Sequence, residues 1–351
     1  MKRVLALIVL ALIALPRMAA AQVYPDRILV KEKARAIVAA SYQGRNRDDN
    51  REEQTERTTR TLKLGANGVL GLANIAGDIV ITRANGSDTT IEIVKTARGR
   101  DVNDARELLQ LVQVEVTERS GRADVRTRYP SSDDARRYSR RNVNVSVAYN
   151  VSAPAGTRIS VESISGSVKV TDIKGDVSAN SVSGNIRISG AGRISAAKTI
   201  SGSVEISDAQ VDGALESSSV SGDVILRRVN ARRIDAGSVS GNVKLDDLQC
   251  DRVSANSTSG SVGFVGALAR NGRYELKSFS GEVRLYLSGN AGFEVDANSF
   301  SGDIRSDFDI VTRGTQTNRR GRRTVLNGTF GDGSAVLDLT TFSGSIVISK
   351  R

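Results

Sequence analysis

The sequence contains no histidine and no tryptophan, one cysteine and only 4% aromatic residues. Without histidine, neither a Ser-His-Asp nor a Cys-His catalytic arrangement can form, and a histidine-ligated metal site is excluded too. The single Cys250 cannot make an internal disulfide, so the fold does not depend on a disulfide framework. The phosphate-binding pattern G-x-x-x-x-G-K-[ST] does not occur either. These absences predict neither a cofactor nor a metal site.

The N-terminus has the three parts of a secretory signal peptide. A Lys-Arg pair precedes the apolar run Val4–Leu15, and Ala19–Ala21 offers a small-residue cleavage site. The run is shorter than the roughly 20 residues that a membrane-spanning helix requires, although a signal anchor is the alternative interpretation. The sequence therefore predicts a signal peptide over residues 1–21 and an exported protein, either periplasmic, on the outer surface or secreted. No transmembrane segment is expected after cleavage.

A polar segment and an irregular region are expected before the repeats begin. Residues 22–64 are predicted to form a charged, flexible tether, because stretches such as Asp48–Gln54 have too little apolar surface to fold alone. Residues 65–160 are expected to form an irregular opening to the regular array. Within it, Asp101 fits the N-cap of a helix with apolar residues at helical spacing up to Val112. This helix is expected to cap the stack.

A Ser-Gly dipeptide returns through the second half of the chain at intervals of 18 to 21 residues. The final interval, 42 residues, is interpreted as two periods with a loop pushed out from them. The glycines of the repeat are Gly166, Gly184, Gly202, Gly222, Gly241, Gly260, Gly281, Gly302 and Gly344. A period of about 20 residues that carries short β-branched runs is typical of a solenoid.

Each period holds two short apolar alternations separated by a polar turn. The inward-facing residues expected from this pattern are Val168, Val170, Val177 and Ala179 in one period and Ile186, Ile188, Ile194 and Ala196 in the next. The pattern predicts an all-β fold, a right-handed parallel β-helix with about 18–21 residues per rung and about twelve rungs over residues 65–350. An antiparallel sandwich is the alternative, because hairpin turns every 8–12 residues fit the same spacing. A sandwich would not repeat one dipeptide in register.

The Ser-Gly column is interpreted as structural rather than as a binding site. Glycine suits a crowded corner and supplies backbone freedom there, and stacked serine hydroxyls can hydrogen-bond along the column. The aromatic residues Phe264, Tyr274, Tyr286 and Phe293 lie late in the array and are interpreted as filling a wider end.

The chain has a formal net charge of +11, which becomes +8 without the three basic residues of the predicted signal peptide. Much of the excess lies in two predicted loops, Ser131–Arg141 and Thr312–Arg323. The candidate anion-binding residues of the second loop are Arg319, Arg320, Arg322 and Arg323. Clustered guanidinium groups suit an anionic glycan or lipid surface, and two solvated loops are the alternative. Nucleic acid is not an expected partner of an exported protein.

Four segments carry a resemblance to a known family: Asn74–Ile79, Ile164–Val168, Val182–Ile186 and Thr341–Ile346. Over roughly residues 62–350 the chain resembles the bacterial putative-adhesin family of β-strand-repeat proteins, DUF4097. The resemblance implies an exported β-helix at the cell envelope and transfers no catalytic residues. The expected function is that of a non-enzymatic, adhesin-like interaction or surface-binding module, whose partner is an envelope protein, an anionic glycan or a lipid surface. The alternatives are an envelope scaffold or signalling partner, and a polysaccharide-active β-helix enzyme.

Overall fold

The computed structural model describes residues 51–130, 143–289, 291–312 and 324–351, which form two long β-sheets and one helix. In spatial order, the first sheet consists of β1 (Glu52–Leu62), β4 (Thr89–Gly99), β7 (Val145–Ala153), β3 (Ile79–Arg83), β9 (Val168–Thr171), β11 (Ile186–Ser189), β13 (Val204–Ser207), β15 (Val224–Arg227), β17 (Val243–Asp246), β19 (Val262–Ala267), β21 (Val283–Ser288), β27 (Ile346–Lys350) and β23 (Ile304–Ser306). The second sheet consists of β24 (Val311–Thr312), β25 (Thr324–Phe330), β22 (Phe293–Ser299), β26 (Ala335–Thr341), β20 (Arg273–Ser278), β18 (Gln249–Ser257), β16 (Asn230–Ser238), β14 (Gln210–Ser219), β12 (Arg193–Ser201), β10 (Asp176–Ser183), β8 (Arg158–Ser165), β2 (Val69–Ala76), β6 (Arg122–Arg128) and β5 (Gln113–Arg119).

Each rung of the stack contributes one strand to each sheet, and neighbouring rungs pair in parallel. Val168 lies opposite Ile186, Ile186 opposite Val204, and Val204 opposite Val224, so the predicted inward column stacks in register. All four side chains are buried. The prediction of an all-β, repeating, parallel architecture is confirmed, because a hairpin-built sandwich would pair consecutive strands antiparallel.

The core between the two sheets is filled by the alternating apolar residues of both strands of each rung. One expected position differs from the prediction. Ala197, rather than Ala196, is the buried alanine of β12, because the pairing of β10 with β12 shifts register next to Val177. A β-bulge of this kind inserts one extra residue and therefore reverses which side chains face inward beyond it.

The corner between β10 and β11, and its equivalents, is tight because successive glycines lie in van der Waals contact. A Cβ atom added to Gly222 would lie 2.0 Å from the carbonyl oxygen of Gly202, and one added to Gly202 would lie 2.2 Å from that of Gly184. The glycine is needed for this close approach rather than for backbone freedom. Among the nine glycines of the Ser-Gly repeat only Gly166 has a positive φ, of 133°, and Gly77 at the equivalent place between β2 and β3 has one of 113°.

Helix α1 (Val102–Leu111) begins at the predicted N-cap. The Asp101 carboxylate accepts a hydrogen bond of 2.8 Å from the Asp104 backbone amide. Leu108 and Leu109 are buried, and the helix contacts β4 and β1 near the first end of the stack. A Cβ on Gly99 of β4 would lie 2.3 Å from the Ala105 amide nitrogen, so the helix lies directly on the strand.

The described fold begins earlier in the chain than predicted. Residues 52–62, which the sequence assigned to the tether, form β1 and pair antiparallel with β4 along eleven residues. The polar composition of β1 was misleading, because an edge strand needs little apolar surface when its partner strand supplies backbone hydrogen bonds and ion pairs. Arg98 and Glu53, for example, form an ion pair of 2.9 Å across this pairing.

The stack does not follow chain order at either end. The rung β26–β27 lies between β20–β21 and β22–β23, although it comes after both in the chain. At the other end, β2–β3 lies between β6–β7 and β8–β9. The interpretation of the 42-residue interval as two periods was therefore wrong. The interval separates the glycines of two neighbouring rungs, β22–β23 and β26–β27. The extra residues form β24 and β25, and β25 pairs antiparallel with the outer edge of β22 and with β24.

Several predicted features lie outside the described residues. These are the signal peptide over residues 1–21, most of the tether, and the predicted loop segments 131–141 and 313–323, which include the four candidate arginines. Within the described ranges, no helix is long and apolar enough to cross a bilayer.

Candidate interaction surface: an exposed apolar column

A column of buried serine and threonine residues supports the glycine corner, three positions before each glycine. The Ser238 hydroxyl donates 2.9 Å to the carbonyl of Gly222 on the neighbouring rung, and the Ser257 hydroxyl donates 2.8 Å to that of Gly241. The same bond recurs from Thr199, Ser219, Ser278, Thr341 and Ser299. There are two exceptions: the Ser181 hydroxyl has no hydrogen-bond partner, and the Ser163 hydroxyl donates 3.4 Å to the Gly166 carbonyl of its own rung.

This buried hydroxyl determines where the next side chain points. Because side chains alternate along a strand, the residue two positions before each glycine faces outward. Backbone hydrogen bonds fix it in register from rung to rung. The Ser240 amide donates 2.8 Å to the Val220 carbonyl, and the Ser259 amide donates 2.8 Å to the Val239 carbonyl. Outward residues of successive rungs therefore stand directly above one another.

The outward residues at this position are apolar in nine of ten rungs, and we call them the apolar edge column. In spatial order they are Ile75, Ile164, Val182, Ile200, Val220, Val239, Thr258, Phe279, Phe342 and Phe300. Ten rungs at about 4.8 Å give a column about 43 Å long. The column reverses the usual rule for a strand, because the polar hydroxyl is buried and its apolar neighbour faces outward. Five apolar members are exposed, namely Ile200, Val239, Phe279, Phe342 and Phe300, and the other four are half-buried.

Three phenylalanines form one end of the apolar edge column. Phe279 stacks on Phe342 with ring centroids 4.8 Å apart and planes inclined by 3°, and Phe342 stacks on Phe300 at 4.6 Å and 4°. Their side chains are 56%, 44% and 41% exposed for Phe279, Phe342 and Phe300, respectively. Since full burial of a phenylalanine contributes about 1.5–3 kcal/mol, covering the exposed parts of these three would contribute on the order of 2–4 kcal/mol.

The rows that flank this column are polar. On one side, the residues just after the glycine hydrogen-bond from rung to rung: the Asp223 carboxylate accepts 2.8 Å from the Asn242 amide, and the Asn242 side chain accepts 3.0 Å from the Ser261 amide. On the other side, Lys198 pairs with Glu216 at 2.5 Å. An apolar line with polar borders is the arrangement of an interaction surface rather than of a core.

The structure places the predicted repeat glycines in one line behind the apolar edge column. The hydroxyl that bonds along the stack belongs to the Ser or Thr three residues before each glycine, rather than to the serine next to it. Of the four aromatic residues interpreted as filling a wider end, Phe264, Tyr274 and Phe293 are buried, whereas Tyr286 is 40% exposed. The sequence interpretation did not include the exposed phenylalanines. The pattern S-F-S-G, which occurs twice, and T-F-S-G are the signals that could have identified them.

The remaining candidate groups belong to the core. Cys250 is buried, its thiol donates 2.9 Å to the Arg252 carbonyl, and burial raises the pKa of the thiol to about 11. Burial also raises the pKa of Tyr149 to about 12, and its hydroxyl lies 2.5 Å from that of Thr127. Within the described ranges, no group of three or more acidic or cysteine side chains is arranged to hold a metal ion.

The family of the chain follows from its repeat. The Toastrack DUF4097 family model matches residues 66–349, so the chain belongs to this family. The match spans all eleven two-strand rungs, including the interleaved ones. No curated protein matches the chain.

Two solved structures are similar to this chain at low identity. One is a putative cell adhesion protein from Clostridium sporogenes, 12% identical, with 86% of this chain and 100% of that chain covered and a TM-score of 0.19. The other is a putative lipid binding protein from Parabacteroides distasonis, 14% identical, with 67% and 91% covered and a TM-score of 0.37. At these TM-scores, neither likeness bears on the function of this chain.

Proposed function

We propose that this protein is an exported, non-enzymatic, adhesin-like module of the bacterial cell envelope that binds a surface through its apolar edge column. The proposal includes the winding of the stack as a right-handed parallel β-helix, the usual hand for parallel strands joined by crossovers. The observation that carries it is the exposed stack of Phe279, Phe342 and Phe300 at the end of the apolar edge column.

A line of this kind suits extended attachment. It has an apolar side chain in nine of its ten rungs, with Thr258 as the exception, so each of these rungs contributes a weak contact and affinity accumulates along about 43 Å. Exposed apolar surface of this extent marks a binding site in a protein that otherwise exposes polar rows. An envelope scaffold or signalling partner, which binds a protein along the same line, is the second candidate function.

Cosedimentation tests the proposal. The purified full chain is incubated with three probes: insoluble envelope polysaccharide, anionic lipid vesicles and neutral lipid vesicles. We expect the parent protein to pellet with at least one of them, and the variant F279S/F300S/F342S to lose most of that binding. The control variant is Y286S/V311S, which removes two exposed apolar side chains outside the column and is expected to bind like the parent.

Three outcomes separate the alternatives. Binding that survives in the triple variant at the level of the control overturns the role of the column. Absence of binding to all three probes, with capture of a defined envelope protein that depends on the column, favours the scaffold or signalling function. Release of soluble sugars from any polysaccharide probe overturns the non-enzymatic assignment.

The predicted arginine cluster and the export of the protein have their own tests. Replacing Arg319, Arg320, Arg322 and Arg323 by serine is expected to remove salt-sensitive binding to the anionic probes and to leave thermal unfolding unchanged. Cell fractionation and N-terminal sequencing of the mature protein test export, with Gln22 expected as the first residue.

A further inference from the structure

Strand β1 presents an open edge at one end of the first sheet. It pairs with β4 on one side only, and no described strand covers its other side. Nine of its eleven side chains are exposed, and they are mostly charged residues and threonines. At eleven residues it is long for an edge strand, and such an edge is a template for pairing with another strand.

The direction of the β1 backbone groups follows from its neighbours. The Arg98 amide donates 3.0 Å to the Asn144 carbonyl, so Arg98 directs its backbone groups away from β1. In an antiparallel pair these directions alternate, so Ala97, Lys95 and Ile93 direct theirs toward β1. Their partners in β1 are even-numbered residues. The odd-numbered residues of β1 therefore point their amides and carbonyls outward.

The charges of β1 are self-complementary in one symmetric register. When Thr58 lies opposite the partner's Thr58, Glu56 lies opposite the partner's Arg60 on both sides of the two-fold axis. Thr58 has an even number, so the axis passes through a non-hydrogen-bonded pair, where opposite side chains are closest.

The neighbouring symmetric registers are less favourable. A shift of one residue toward the N-terminus of β1 places Arg57 opposite the partner's Arg57. A shift of one residue the other way forms no ion pair. Charges on an edge strand normally discourage pairing because like charges meet, whereas this register brings unlike charges together.

The intramolecular contacts leave the required charges available. The exposed Arg60 has no ion-pair partner among the described residues. Glu56 lies 3.7 Å from Lys95 of β4 and is about half exposed. A cation on its other side, such as the partner's Arg60, would place Glu56 between two positive charges.

We propose that β1 is a dimerisation edge, at which a second copy of this chain adds its own β1 antiparallel, with Thr58 on the two-fold axis and Glu56 opposite the partner's Arg60. The first sheets of the two copies then form one continuous sheet. Two-fold pairing of identical edges closes on itself and leaves no edge strand for further growth at this end.

Sedimentation equilibrium of the purified full chain tests the proposal. The parent is expected to dimerise, and either reversal, Glu56→Arg or Arg60→Glu, is expected to weaken the dimer at least tenfold because each places like charges opposite one another. An equimolar mixture of the two variants is expected to recover the dimer, since each supplies the charge that the other lacks. The double variant E56R/R60E is the matched control and is expected to dimerise like the parent.

A backbone variant tests the same edge without altering charge. Thr59 directs its amide outward, so Thr59→Pro removes a donor from the open edge and leaves the hydrogen bonds to β4 in place. It is expected to be monomeric, with a circular dichroism spectrum like that of the parent. A monomeric parent at about 100 μM would overturn the proposal, as would single reversals that dimerise like the parent or a mixture of them that stays dissociated.

Discussion

Replacement of Gly222 by alanine should destabilise the stack severely, because the corner has no room for a methyl group. The added Cβ would lie 2.0 Å from the Gly202 carbonyl oxygen and 2.5 Å from its carbon. Relief of this overlap to an ordinary contact requires the two rungs to separate locally by more than 1 Å, estimated from contact distances of about 3.5 Å.

The cost has two parts. Overpacking in a dense interior costs about 1–3 kcal/mol. The separation also breaks the nearby hydrogen bonds to the same corner, namely Ser219 Oγ to the Gly202 carbonyl at 2.8 Å and the Val204 amide to the Asp223 carbonyl at 2.9 Å. Each contributes about 0.5–1.5 kcal/mol, so we expect a total loss of about 2–6 kcal/mol in the free energy of unfolding.

The assay is urea unfolding followed by far-ultraviolet circular dichroism. The matched control is Gly263→Ala in β19, where an added Cβ meets no atom within 4 Å. This control is expected to lie within about 0.5 kcal/mol of the parent, or slightly above it because alanine restricts the unfolded chain. If Gly222→Ala unfolds at the same urea concentration as Gly263→Ala, steric exclusion is not the reason for the glycine.

Three further outcomes are expected. Ser257→Ala, which removes the buried hydroxyl that bonds the neighbouring rung, should lower the free energy of unfolding by about 1–3 kcal/mol, measured by the same urea titration, and an unchanged midpoint would contradict the role of the hydroxyl column. Burial raises the pKa of Cys250 from 9.0 to about 11. The contribution of the buried thiol to stability is therefore complete below pH 9 and is lost as the pH rises to about 11. The difference in unfolding free energy between pH 8 and pH 11 should be smaller in Cys250→Ala than in the parent. The double variant Y286C/S349C should form a disulfide under oxidation, because these two positions lie opposite each other in β21 and β27. The double variant Y286C/D307C should stay reduced, because β27 lies between the two positions and separates them by about 10 Å. The reverse result would refute the interleaved order of the rungs.

The regular part of the fold could be predicted because its physical causes are local. The tight corner requires a glycine in every rung. Because side chains alternate along a strand, the second residue after that glycine, such as Val168 or Ile186, is assigned to the core. The bulge in β12 could not be predicted, because Ile194-Ser195-Ala196-Ala197 offers two small residues that fit the core equally well.

The order of the rungs cannot be predicted from the repeat in the same way. Rungs β22–β23 and β26–β27 both carry the motif F-S-G, so the repeat alone does not determine which of them follows β20–β21. The apolar edge column was missed for another reason. Phenylalanine in a strand normally indicates the core, and only the buried Ser or Thr beside Phe279 or Phe342 shows that the parity is reversed.

The interleaved rungs have a consequence for how the chain reaches its native state. Residues 293–306 are present in a growing chain before residues 335–350, yet the native place of the later rung lies inside that of the earlier one. Until residues 335–350 are present, the surface of β20–β21 is open to the earlier rung, which carries the same F-S-G motif. If the earlier rung docks there first, it has to leave before the later rung can take its native place, so closure of this end then involves a kinetic competition.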